Sequence, residues 1–460
     1  MSSICPRISD FGLNRPNPGL ALGTAHGKIA GVKTLLRSFP LLLICLTLHA
    51  RGQALDPFVS SPDLWRTPRA DFVDQHRDLG FYWLSSTQDR AETHSKGLTL
   101  FSGTVCEVDA EFQADKLSGV TLSIYNRGDA GEIGRDQMTG LVQHCVEQLT
   151  AMTKVQPAPR SKDASDAVKA WAFAWQTPAS KYLLEYSFVK EVKSRNIPFR
   201  AEFVRLKVSP AEQPKNFMAA SMASATPAVV FKGPAHVKKD PGGDVRIDSV
   251  PMVDQGRKGY CVVATTERVM RYYGIPVDEH ELAELANSSA TEGTNNEAMF
   301  DSLKKLSQHL HIKIQTIDNM DSRQFLDLAK EYNLRTHHGK LAPELPISSD
   351  SFSDTYSAMQ PGMLRQVRTR NKAELDRFKH IIQDHITQGI PVLWTIMYGI
   401  IPEENGPKAI GGHMRLIIGF NTASDEILYS DSWGPGHELK RMPAGDAYSM
   451  TLGLNAIEPL

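Results

Sequence analysis

Behind Cys261 the apolar residues Val262, Val263, Val269, Met270 and Tyr273 recur at helical spacing, and Gly274-Ile275-Pro276 supplies a stop. The pattern predicts a helix with Cys261 at or just before its first turn. Upstream, 103–112 and 120–125 read as strands, and 135–152 as a helix with Met138, Leu141, Val142, Cys145, Val146 and Leu149 on one face. Three strand-like runs follow, 170–176, 182–192 and 199–208. In the middle run Leu184, Tyr186 and Phe188 alternate with Glu185, Ser187 and Val189, the period of a half-buried strand. An antiparallel sheet carrying one helix is the simplest architecture for this half.

Downstream of the Cys261 helix, Asp278-x-x-Glu281 opens another in the manner of a capping box, with Leu282 and Leu285 facing inward. Further helices are predicted over 296–310, 322–332 and 374–388, and strands over 312–317 and 391–397. A long polar excursion spans about 337–368. Residues 414–420 and 426–430 form a hairpin about the turn 421–425. Helices first and sheet afterwards suggest two lobes with a cleft between them. The fold class is α+β, and four segments follow: an extension with a signal peptide (1–54), an α+β domain of unknown role (55–212), a linker rich in small residues and proline (213–245), and a second domain (246–460).

Composition narrows the function. With 51 Lys+Arg against 52 Asp+Glu the chain is nearly neutral, which argues against nucleic acid or an anionic membrane as partner. Lys33 and Arg37 flank a short apolar run, 39–48, and Gly52-Gln53-Ala54 offers small residues at the positions a signal peptidase reads. The run is too short for a membrane span. Cleavage after Ala54 and a secreted or periplasmic protein without an integral membrane segment are therefore expected. Cleavage removes two of the five cysteines, Cys5 and Cys45. Cys106 and Cys145 lie in one domain and are able to bridge, which leaves Cys261 as the odd thiol.

Cys261 at a helix start has unpaired backbone N–H groups and the helix dipole beside it, which favour a thiolate. Gln255, six positions earlier across a glycine-containing loop, is placed to donate to an oxyanion together with the Cys261 N–H. In the hairpin the turn folds His413 back against 431–433, so Asp431 arrives beside His413 by backbone pairing, a base and the carboxylate that orients it. His380 and His385, five apart on one helix, do not share a face and have no third ligand in phase. No phosphate loop follows a strand. Neither a metal nor a cofactor is expected.

The set Gln255, Cys261, His413 and Asp431-Ser432-Trp433-Gly434 resembles the papain-like cysteine peptidases in the order of its residues. Asp in place of Asn, the Tyr272-Tyr273-Gly274 helix end and the Gly389-Ile390-Pro391-Val392 junction are similar to the branch that contains the bacteriocin-processing, double-glycine leader peptidases. The resemblance covers about residues 246–440. It implies Cys261 as nucleophile, His413 as general base and acid, Asp431 as its orienting partner, Gln255 as oxyanion donor, and Trp433 as a cover over the His413–Asp431 contact. Two departures stand out: Val262-Val263 follows Cys261 where papain carries an aromatic, and the leader peptidases are usually fused to a transporter, so their substrate does not carry over. The expected function is an exported cysteine peptidase acting on a peptide or protein substrate, with a bell-shaped pH profile. Acyl transfer or cell-wall peptide amide hydrolysis on the same triad, and a non-catalytic papain-like binding protein, are the alternatives. The amino-terminal domain is a candidate intramolecular partner.

Overall fold

The computed structural model describes residues 53–460 apart from 163–169, 213–230, 232, 257, 276, 291–292, 340–343, 346, 348–351, 404–405 and 407. The signal segment lies outside the described residues, except that Gln53–Ala54 forms a short parallel strand against Leu98 and Thr99. Among the described residues no helix is long and apolar enough to cross a membrane.

Among the described residues two eight-stranded sheets carry most of the fold, beside a small three-stranded one. The first contains β1 (Tyr82–Trp83), β2 (Arg90–Thr93), β3 (Glu107–Gln113), β4 (Lys116–Asn126), β5 (Ala158–Lys162), β6 (Ala170–Gln176), β7 (Ser180–Val189) and β8 (Arg200–Pro210), in the order β1-β2-β3-β4-β8-β7-β6-β5. Every neighbouring pair is antiparallel. The helix α1 (Arg135–Thr153) lays Met138, Val142, Cys145 and Leu149, a single helical stripe, into a core with Leu184, Leu206 and Val208. Cys145 belongs to that core, whereas the Cys106 sulfur faces the Ile124 carbonyl, and both are thiols rather than the bridge the sequence allows. Burial pushes each up to about 12.

The alternation in β7 is real, but its polar face does not meet water. Glu185 and Ser187 are each 0 % exposed. Ser187 Oγ donates to Glu284 of the second domain at 2.6 Å, and Glu185 accepts from Arg205 of the neighbouring strand β8 at 2.8 Å, whose guanidinium also reaches Glu281 of the second domain at 2.7 Å. A polar stripe that alternates in sequence marks an interface here rather than a solvated surface.

The second sheet contains β9 (Val237–Lys239), β10 (Asp244–Ile247), β11 (Ile312–Asn319), β12 (Val392–Tyr398), β13 (Gly411–Asn421), β14 (Glu426–Ser430), β15 (Lys440–Pro443) and β16 (Thr451–Pro459). Its order is β9-β10-β13-β12-β16-β11, with β14 paired to β13 and β15 to β14. The stretch 213–245 is therefore not a tether throughout: β9 and the start of β10 lie in it and pair into this sheet. Helices α2 (Cys261–Tyr272), α3 (Glu279–Leu285), α4 (Asn296–Leu310) and α5 (Lys372–Thr387) pack with it around a core separate from the first, running from Ile247 to Ile457. The polar excursion also contains helices, Phe352–Ser357 and Pro361–Arg368. The second buries Met363, Leu364 and Val367, a stripe too short for its period to stand out in the sequence. Asp278 does cap α3, accepting the His280 N–H, but Glu281 reaches across to Arg205 instead of back to the cap.

Candidate active site

Cys261 is the first residue of α2, and its segment leads into the helix through Tyr260, whose carbonyl accepts the first intrahelical bond from the Ala264 N–H at 2.8 Å. The Cys261 N–H thus lies ahead of the first hydrogen-bonded turn, at the positive end of the helix. Cys261, Thr265 and Arg268 share one helical face. Thr265 Oγ1 donates to the Met414 carbonyl at 3.3 Å, beside His413. Arg268 donates to the carbonyls of Pro251 at 2.8 Å and Asp431 at 3.0 Å, and to Ser430 Oγ at 2.6 Å. That face pins the helix start to the strand bearing His413 and to the end of the strand leading to Asp431.

The hairpin register does what the turn predicted. Leu416 pairs with Ser430 and Asn421 with Glu426, with an irregularity between Ile417 and Gly419. Continued past the strand end, this register sets Arg415 opposite Asp431 and His413 opposite Trp433. His413 Nε2 bonds Asp431 Oδ1 at 2.7 Å, and the Trp433 ring stacks on the imidazole at 4.7 Å with 17° between planes. An Nε2–H donating to the carboxylate leaves the lone pair on Nδ1, the tautomer a base needs.

Asp431 is 0 % exposed. Its Oδ1 also accepts the Ser432 N–H at 3.0 Å, and its Oδ2 accepts Arg415 Nε at 2.7 Å. Burial alone raises a carboxyl, but His413 and Arg415 outweigh it and hold Asp431 well below the usual carboxylate range. Arg415 in turn forks onto Glu403 at 2.8 and 3.0 Å, and Tyr429 donates to the same carboxylate at 2.7 Å. Gln255 is tied to this end of the site twice: its N–H donates to the Ser432 carbonyl at 2.9 Å, and its Oε1 accepts Ser432 Oγ at 2.8 Å. Holding the carbonyl end orients the amide with its NH2 group pointing the other way, the group an oxyanion requires.

Sequence reasoning missed Arg415 and Lys258, and it named Ser432 within a motif without giving it a role. Arg415 carried a signal, since it stands two residues after His413 on a strand and therefore shares its face. Lys258 carried none, because its partners Glu107, Asp129 and Glu279 come from other segments of the chain.

Among the described residues two groups of side chains have the spacing of metal ligands, Glu92, His94 and Glu107, and Glu107, Glu279 and His280. Lys258 Nζ lies against both Glu107 and Glu279 and serves there as the cation, so these residues do not fit a metal centre. His380 and His385 each turn Nδ1 onto a backbone carbonyl of their own helix, at 2.7 Å.

Residues 247–449, somewhat under half of the chain, match the Peptidase_C39 like family. Among solved structures, xylellain, a cysteine protease from Xylella fastidiosa, is similar at 14 % identity over 52 % of this chain and 97 % of its own, with a TM-score of 0.25. No curated protein matches. The part of the chain that is similar to this family carries Gln255, Cys261, His413 and Asp431.

Proposed function

We propose that the protein is an exported thiol peptidase that hydrolyses peptide bonds with Cys261, His413, Asp431 and Gln255. The observation that carries the reading is the 2.7 Å bond from His413 Nε2 to Asp431, which fixes the ring with Nδ1 as its basic nitrogen. Nδ1 takes the Cys261 proton, and the sulfur attacks the scissile carbonyl carbon, forming the C–S bond. The resulting oxyanion is met by the Cys261 N–H and the Gln255 amide. The imidazolium then protonates the departing amine as the C–N bond breaks. Water, deprotonated by His413, attacks the thioester and releases the acid and the thiol. Asp431 orients the ring and balances the charge of the imidazolium.

Cys261 is 0 % and His413 3 % exposed, so a polypeptide reaches the sulfur only when the residues that cover it move aside. Small reagents should therefore outpace bulky ones. In the test, iodoacetamide labels Cys261 stoichiometrically in the wild type and not in Cys261→Ala, and His413→Ala slows labelling sharply. Equal labelling of wild type and His413→Ala would make Cys261 an ordinary buried thiol and sink the reading. Turnover of unfolded casein against purified cell-wall peptides then separates the endopeptidase from an amidase. Export is part of the same proposal and is checked by sequencing the mature amino terminus, expected at Leu55.

A further inference from the structure

The amino-terminal domain does not merely adjoin the peptidase domain; it holds Asp254, Gly256, Lys258 and Tyr260, the residues around Gln255 and before Cys261. Tyr82 of β1 donates its hydroxyl to Asp254 Oδ2 at 3.0 Å, while Asp254 Oδ1 accepts the Gly256 N–H at 2.9 Å. Gly256 has a positive φ of 61°, and the His94 ring lies so near that a Cβ there would sit 3.0 Å from Cε1. Lys258 is buried, with its ammonium on Glu107 and 3.5 Å from Asp129, both of the amino-terminal domain, and 2.6 Å from Glu279 of α3. Tyr260 packs its ring on Gly128, where a Cβ would meet it at 2.5 Å. Four successive grips thus fall on Asp254, Gly256, Lys258 and Tyr260, which alternate with or flank Gln255 and Cys261. The cations and anions of the grip are matched across the domain boundary: Arg271 reaches Glu111 at 3.1 Å and Arg205 reaches Asp278 and Glu281.

We infer that the amino-terminal domain is a positioning part of the active site, which through Glu107, Asp129 and Tyr82 fixes the chain at Asp254 and Lys258 and so the oxyanion donors Gln255 and Cys261 N–H. The inference rests on the thiol-peptidase reading and adds to it the role of residues 55–212. A loop with two glycines, Gly256 and Gly259, has no side-chain packing of its own at those positions to hold this conformation. An ammonium locked among carboxylates, and a glycine closed against an imidazole, supply the rigidity that preorganised donors need. On this account, removing the domain disables the enzyme rather than activating it.

The experiment compares two reactions of the same sulfur in the full-length chain. Acylation by p-nitrophenyl acetate passes through an oxyanion; alkylation by iodoacetamide is a direct displacement and needs no oxyanion donors. Glu107→Gln and Tyr82→Phe should each lower the acylation rate by about tenfold or more while alkylation of Cys261 changes little, since displaced donors cost roughly that much. Lys258→Met should do the same, and Lys258→Arg, which restores a cation, should recover part of the loss. Thermal unfolding of each variant shows that the molecules compared are folded, and Tyr82→Phe, which deletes one hydroxyl, serves if the charge variants do not fold. Unchanged acylation in folded variants overturns the inference, as does faster acylation, which would make the domain an inhibitor. A wild type that iodoacetamide does not label brings down the peptidase reading itself and this inference with it.

Discussion

Arg415 and His413 grip opposite oxygens of one carboxylate: Arg415 Nε donates to Asp431 Oδ2 and His413 Nε2 to Asp431 Oδ1, each at 2.7 Å. The two residues stand two apart on β13 and face the same side, so one strand supplies both the imidazole and the guanidinium that hold the carboxylate. Arg415 is 0 % exposed and is further enclosed by the rings of Tyr398, Tyr429 and Trp433. Replacing it by Gln removes the guanidinium to which both Asp431 and Glu403 are hydrogen-bonded. We expect a loss of about 3–5 kcal/mol in urea unfolding, the usual cost of breaking a buried ion pair from one side. The double variant Arg415→Gln with Glu403→Gln should lose less than the sum of the singles. Additive losses would show that the three groups do not act as one unit.

Asp431→Asn tests how the carboxylate works. An amide offers one acceptor oxygen where two donors, His413 and Arg415, now compete, and its NH2 group must face one of them. Removing the negative charge also withdraws support from the imidazolium. Activity should fall by about a hundredfold or more, with the alkaline limb of the pH profile moving to lower pH. An Asn variant of near wild-type turnover would mean that orientation alone suffices and that Arg415 releases the residue at little cost.

How far the residues themselves foretold this site depends on how local each contact is. The Cys261 helix and the 413–431 hairpin were legible, because a 3.6-residue period, a glycine stop and a turn signal are short-range features. The predicted helix over 296–310 and the strand 426–430 match the observed bounds of α4 and β14. β16, by contrast, went unread, although it lies between β12 and β11 in the sheet. Its sequence, Thr451-Leu-Gly-Leu-Asn-Ala-Ile, mixes a glycine and an asparagine into the apolar run. The grip of Glu107 on Lys258 spans 151 positions, and no pattern within either segment announces it. Glu185 and Ser187 were read as one face of a half-buried strand, and only the second domain explains why that face is dry.

Trp433 lies parallel to the His413 ring at 4.7 Å and is edge-on to Tyr398 at 5.2 Å. An indole laid over that ring is expected to shield the bond to Asp431 from competing water and so strengthen it. Trp433→Ala should cost about 1–3 kcal/mol of stability through lost apolar burial and lower kcat more than it raises KM. Trp433→Phe, which keeps a flat ring, should recover most of both. A loss confined to KM would assign the indole to substrate contact instead.

The domain interface should also make stability depend on pH, and Glu284 of α3 is where the sign can be worked out. Burial pushes its carboxyl from 4.5 up to about 8, and Glu202 adds to the rise, against the Ser187 hydroxyl and Arg200, which oppose it. Between those two values the folded chain holds a proton that the unfolded chain has released. Stability from this group is therefore present below about pH 4.5 and is lost as pH rises through about 8. Other interface groups titrate as well, so the comparison is between wild type and Glu284→Gln, whose amide mimics the protonated acid and keeps an oxygen for Ser187. The two should unfold at similar urea concentrations near pH 5, and the wild type should fall progressively behind by pH 9. If the gap stays constant across that range, Glu284 is ionised in the folded protein and the pocket between α3 and β7 is better solvated than its contacts imply.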